Sequence, residues 1–221
     1  SDTPRPGNAK FKKLTPVDPN STNPYQLTEA DRTVIGNTTP KFSGGFGLNA
    51  TYKGFDMSMF FNFMYDFDVL NANKIMLTTW ADNKENNFLM DIASDKRWRN
   101  FDDMGNEIRY SLEVLAEFNK NATMWNPTSI GRPICMSYAV EDGSFLRLNS
   151  ATLGYTLPSV WTKKVGLSKV RFYVSGNNLF TLTGYSGYDP EVNIATGLTP
   201  NIDYDRYPRS RTYTFGAQLT F

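Results

Sequence analysis

Five stretches of the chain alternate apolar and polar residues with the period of two that puts successive side chains on opposite faces of a strand. From Lys41 to Tyr52, residues Phe42, Gly44, Phe46, Leu48, Ala50 and Tyr52 share one face, and Lys53-Gly54 then permits a tight reversal. From Phe55 to Phe67 the alternation is cleanest. Phe55, Met57, Met59, Phe61, Phe63, Tyr65 and Phe67 face one way, and Asp56, Ser58, Asn62, Asp66 and Asp68 face the other, with Phe60 and Met64 interrupting the polar side. A third strand is expected over 145–157, with Ala151, Leu153, Tyr155 and Leu157 on its apolar face and Pro158 as its stop. Val170 to Phe180 alternates through Phe172 and Val174. Arg211 to Phe221 sets Tyr213, Phe215, Ala217, Leu219 and Phe221 against Thr212, Thr214, Gly216, Gln218 and Thr220.

The connections between these stretches run long, short, long, short, long. Residues 53–54 and 158–168 are short turns, whereas 1–40, 69–143 and 181–210 are long. A connection of some seventy residues is uncommon in a compact domain and usually marks function. Within it, Ile108, Leu112, Leu115 and Phe118 recur at near-helical spacing and predict a short amphipathic helix over 106–121. Antiparallel strands of about ten residues, joined by short turns at one end and long loops at the other, are the pattern of outer-membrane barrels. The expected fold class is therefore all-β: an antiparallel transmembrane barrel wall with long extracellular loops. The smallest bacterial barrels use about eight strands, so five imply part of a larger one.

Composition narrows the alternatives. Charged residues make up 20% and mean hydropathy is −0.45. The longest apolar-looking run, Phe55 to Phe67, is broken by Asp56, Ser58, Asn62 and Asp66, so no helical span of about 20 residues is available. Aromatic residues at 14%, mostly Phe and Tyr, suit lipid-facing strands and interfacial girdles. Cys135 is the single cysteine and excludes an intrachain disulfide, and the lack of histidine removes the commonest general base. No enzyme activity is expected. A net charge of +1 makes no electrostatic case for nucleic acid. Ser1-Asp2-Thr3-Pro4 has neither the basic start nor the apolar core of a signal peptide, which is expected of a processed or internal segment.

Several blocks carry a family resemblance. They are Asp31-Arg32-Thr33-Val34-Ile35-Gly36-Asn37 with Pro40-Lys41-Phe42, Glu141 to Leu148 continuing into Thr152 to Pro158, Gly176-Asn177-Asn178-Leu179-Phe180, and Gly184-Tyr185-Ser186-Gly187-Tyr188-Asp189-Pro190-Glu191. Their order and spacing resemble the C-terminal end of SusC/RagA family TonB-dependent outer-membrane transporters. Thr214, Gly216, Leu219 and the closing Phe221 resemble the signal read by the barrel assembly machinery. The resemblance implies a plugged barrel of about 22 strands in the lipid bilayer, its C-terminus periplasmic, with the plug and TonB-engaging segment outside residues 1–221. It implies import of oligosaccharides or oligopeptides with a SusD-like lipoprotein as partner. Energy would come through TonB-ExbB-ExbD, with no bound cofactor. A surface adhesion or structural barrel without transport is the alternative, and a soluble all-β binding module a third reading.

Candidate sites follow from residue chemistry. Tyr185, Tyr188 and Asp189 lie in a Gly/Pro loop where aromatic faces and a carboxylate could grip a sugar or peptide. Trp80, Trp98 and Trp125 in the longest loop could stack on a ligand or bury against a partner. Asp56, Asp66 and Asp68 alternate along one strand face, which describes a polar lumen wall more simply than paired catalytic carboxylates. Asp18, Asn20 and Glu29 offer oxygens ahead of Asp31, yet the sharp-turn glycine of a calcium loop is missing and prolines intervene. A surface turn is expected there, and no metal.

Overall fold

The computed structural model describes residues 5–17, 20–23, 26–79, 87–93, 95–130, 134–192, 200–204 and 206–221. Two compact units partition the chain, one of residues 1–35 with 71–139 and one of residues 36–70 with 140–221.

The second unit is built on a five-stranded antiparallel sheet. Its strands are β1 (Phe42–Tyr52), β2 (Phe55–Tyr65), β5 (Phe145–Thr156), β6 (Lys169–Thr183) and β8 (Thr212–Thr220), in the order β1-β2-β5-β6-β8. Lys53 and Gly54 both adopt positive φ, the backbone a two-residue hairpin turn between twisted strands requires. The second short connection is a helical turn, α3 (Ser159–Thr162), closed by Gly166 at φ 74°.

Register lines the apolar positions into one continuous face. Phe46 lies opposite Phe61 with their rings stacked at 4.9 Å, and Phe55 lies opposite Tyr155 at 4.4 Å. Met57, Leu153, Val174 and Phe215 form one row across four strands. The charged residues of these strands, Asp56, Arg147, Lys169 and Arg171, all point to the other face. Much of the apolar face is open to its surroundings, Phe42, Leu48, Tyr52, Phe215 and Leu219 among it, far beyond the scattered apolar exposure of a water-soluble surface.

Two local departures reset the alternation. Between β2 and β5 the register steps from Phe60 opposite Ser150 to Phe61 opposite Leu148, leaving Asn149 as an extra residue. This β-bulge shifts the phase of β5, so Leu148 and Leu146 join Ala151, Leu153 and Tyr155 on the apolar face although their numbers have opposite parity. At the end of β2, Asp66 adopts φ 60°. The turn there swings Phe67 off the outer face into the interior, where it is 3% exposed, which corrects its expected place in the apolar stripe.

Beside the main sheet, β3 (Asp68–Asn71), β4 (Val140–Asp142) and β7 (Ile202–Asp203) form a small sheet in the order β4-β3-β7. Phe67, Val69, Phe145, Tyr185 and Val192 make a buried cluster against which Met64 packs. Met64, an oddity on the polar side of β2, thus belongs to the core of the capping loops.

The first unit has its own organisation. The backbone N–H groups of Leu14, Thr15 and Thr28, with the hydroxyls of both threonines, donate to the Asp31 carboxylate at 2.8–3.2 Å. Asn126 N–H donates to Gly7 O at 2.8 Å, tying the chain's early residues to the long 71–139 segment. That segment holds α1 (Ala72–Met76) and α2 (Leu112–Phe118), with Ile75, Ile92, Leu115, Ile130 and Met136 buried. The helix is shorter than its 106–121 periodicity. Asp102 holds 102–106 in a turn through the N–H groups of Met104 and Asn106, and Ser111 caps the helix start at Val114 N–H.

Candidate functional site

Near the hairpin end of the sheet, the polar face carries an ion pair that spans three strands. Arg171 on β6 donates from Nε to Asp56 Oδ1 on β2 at 2.9 Å and from its terminal nitrogen to Oδ2. The strand between them offers Gly154 at the crossing point, where a Cβ would stand 2.7 Å from the guanidinium carbon. Tyr173 continues the row with its ring 5.2 Å from the Arg171 guanidinium, and lies over Gly216 on β8, where a Cβ would collide with the ring. Glycine in a strand here marks close approach of a neighbouring side chain.

The remaining carboxylates of the expected lumen wall do not converge. Asp66 pairs with Lys41, and Asp68 accepts Asn37 N–H at 2.7 Å while its own N–H donates to Asn37 O. Each holds the chain where it enters or leaves the sheet, so none forms a carboxylate pair fit for acid/base chemistry.

At the opposite end of the sheet, the 184–192 loop folds over the polar face. Tyr185 is 6% exposed and its hydroxyl donates to the buried Asp203 carboxylate at 2.7 Å. Burial first, and then that hydrogen bond, push the phenol above its ordinary pKa, because both penalise the phenolate. Gly187 lets the loop close over the ring, since a Cβ there would collide with it. Asp189 accepts from Arg147 of β5 and from Glu191 N–H at 3.0 Å, and Ser186 donates twice to Glu141 at 2.8–2.9 Å. Tyr188, between these anchored neighbours, is 80% exposed. Of the three loop residues expected to meet a ligand, Tyr185 and Asp189 are engaged within the fold and Tyr188 is presented outward.

The remaining candidates are dispersed. Thr214 lies opposite Ser175 on the polar face and Leu219 opposite Val170 on the apolar one. Phe221 follows the last ladder pair, Lys169 with Thr220, and is 88% exposed. In the first unit, the Trp98 ring lies against Gly7 and Trp125 packs edge-on to Tyr138 at 4.9 Å. Glu29 pairs with Arg32 at 2.9 Å. Asp18 and Trp80 lie outside the described residues. Among those residues no three of His, Cys, Asp and Glu gather as metal ligands, and Cys135 is exposed. Sequence reasoning missed Arg147 and Arg209, whose partners lie far along the chain. The only signal was an arginine inside an otherwise uncharged strand.

No protein-family model matches the chain. It is 33% identical over 202 residues to TonB-dependent receptor P3 of Formosa agariphila, covering 89% of this chain and 18% of that protein. It is 36% identical over 88 residues to the TonB-dependent receptor SusC of Bacteroides thetaiotaomicron, covering 38% of this chain and 8% of that protein. Among solved structures it resembles the RagAB peptide importer in the open-open state, with TM-score 0.63 and 26% identity over 89% of this chain and 19% of that one. The chain belongs to the SusC/RagA family of TonB-dependent receptors. It spans less than a fifth of the length of these relatives. TonB-dependent receptors are outer-membrane proteins, and the sheet's uncharged face is the surface such a barrel turns to lipid.

Proposed function

We propose that this chain forms the C-terminal part of the barrel wall and outer loops of a TonB-dependent importer of large nutrients. The observation that carries this reading is the uncharged apolar face, continuous through five strands and backed by a charged, loop-capped inner face. Hydrocarbon tolerates only the first and an aqueous lumen favours the second. Phe221 then sits at the periplasmic end, and the three long connections, 1–40, 69–143 and 181–210, face the medium. A SusD-like lipoprotein covers the mouth, TonB-ExbB-ExbD supplies the energy, and the barrel assembly machinery inserts the wall. Likeness to the RagAB peptide importer makes oligopeptides the first substrates to test, with oligosaccharides second.

The test is uptake of labelled oligopeptides and oligosaccharides by cells with and without the full-length gene, each with TonB intact or deleted. Uptake that needs both genes supports the proposal. Normal uptake of every large nutrient in the deletion strain, with a loss of surface attachment instead, favours an adhesion or structural barrel.

A further inference from the structure

Four charged side chains fasten the 184–192 loop to the inner face of the sheet. Arg147, with its side chain 3% exposed, projects from β5 and meets Asp189 in a direct ion pair and Glu191 at 3.4 Å. Arg209, where the same connection returns to the sheet, stands 3.0 Å from Glu191 and 3.9 Å from Asp189. Two cations and two carboxylates thus balance beside the Phe145 ring, which lies 5.5 Å from the Arg147 guanidinium and shares a buried cluster with Val192. Nε of Arg147 and Oε2 of Glu191 make no hydrogen bond, so charge alone holds that link. A buried ionic group of this kind adds little net stability compared with apolar filling, and its best-attested use is to specify one geometry.

We propose that Arg147 is a positioning residue, the wall-side half of a latch that holds the 184–192 loop in the barrel mouth and so presents Tyr188 to an incoming oligopeptide. This rests on the importer reading for the ligand but not for the latch. Tyr188 immediately precedes Asp189, so the latch fixes the backbone from which its exposed ring projects. A ring held in place loses little conformational freedom when an apolar or aromatic peptide side chain packs on it, and such preorganisation raises affinity. With the latch open, Asp189 and Glu191 face Arg209 alone, and the loop carries an unbalanced negative charge that draws it toward water.

The experiment uses the full-length protein on intact cells, with Cys135→Ser and no other accessible thiol, and with Val192→Cys as the reporter. A membrane-impermeant maleimide should label Cys at this buried position slowly when Arg147 is present. In Arg147→Met the labelling rate should rise at least tenfold at equal outer-membrane abundance, and Arg147→Lys, which restores the charge without the fork, should fall between. An unchanged rate in Arg147→Met overturns the proposal. Should that variant fail to reach the outer membrane, Glu191→Gln removes the charge-only link and is read in the same way. Labelling needs no transport, so a protein that imports nothing would still report on the latch.

Discussion

Arg171 reaches across an intervening strand to Asp56, two strands away in the sheet and 115 residues away in sequence. The reach is possible because Gly154 leaves its path open. The pair should therefore behave as a unit: Asp56→Asn and Arg171→Gln, measured by urea unfolding of the full-length barrel in detergent, should cost less together than the sum of the single changes. Gly154→Ala should abolish that coupling by displacing the guanidinium. Additive single effects in the wild-type background would show that the contact carries no energy.

Charge tolerance should differ sharply between the two faces of β2. Phe61→Arg places a cation on the apolar face, where Phe46 stacks on the native ring, and should destabilise by about 2–4 kcal/mol at mid-membrane depth. Ser58→Arg, on the exposed polar face between Asn49 and Thr152, should be far milder. Asn62 is a less clean control, because its cross-strand partner is Arg147. Equal effects of Phe61→Arg and Ser58→Arg in a barrel-folding assay would remove the membrane assignment of the apolar face.

Tyr185→Phe should cost about 1–3 kcal/mol by withdrawing a hydrogen bond from the buried Asp203 carboxylate. The native phenol holds its proton beyond its ordinary value of 10.0, whereas the unfolded chain releases it there. Its contribution is intact below about pH 10 and lost as pH rises above that, because the unfolded state then binds fewer protons. The variant should lack this alkaline loss. Identical alkaline unfolding of both proteins would show that the buried phenol is not its source.

Asp31 should govern the acid response of the first unit. The backbone N–H of Thr15, then that of Thr28, hold its carboxyl well below the usual carboxylate range. Such a group stabilises the folded form above its unfolded pKa, and that contribution is lost as pH falls through the depressed folded value. In Asp31→Asn, exchange protection at the Leu14, Thr15 and Thr28 amides should fall at neutral pH and change little on acidification. Full protection in the variant would show that the clasp is dispensable.

Phe221 should matter to assembly more than to stability. Phe221 is 88% exposed, so removing its ring by Phe221→Ala costs less than about 1 kcal/mol by area accounting, which a large barrel tolerates. Full-length protein with this change should be scarce in the outer membrane yet refold normally in detergent. Normal outer-membrane abundance would remove the assembly role assigned to the closing residue.

Strand alternation was legible in the sequence because it is a local property. Each residue's face follows from the pleat and needs no knowledge of a partner, so the apolar stripe through Phe46, Phe61 and Phe215 could be read directly from the sequence. The long loops, the Lys53-Gly54 reversal and the family blocks were legible for the same reason. Phase and partnership were decided elsewhere. The extra residue Asn149 makes a bulge only relative to β2, and Phe67 turns inward because Asp66 takes φ 60°. Tyr185 and Asp189 meet Asp203 and Arg147 across 18 and 42 residues, and the early residues join the 71–139 segment through Gly7 and Asn126. A periodic pattern specifies which way a side chain points, whereas sheet register and loop closure decide what waits there, and those depend on the energy of the whole packed arrangement.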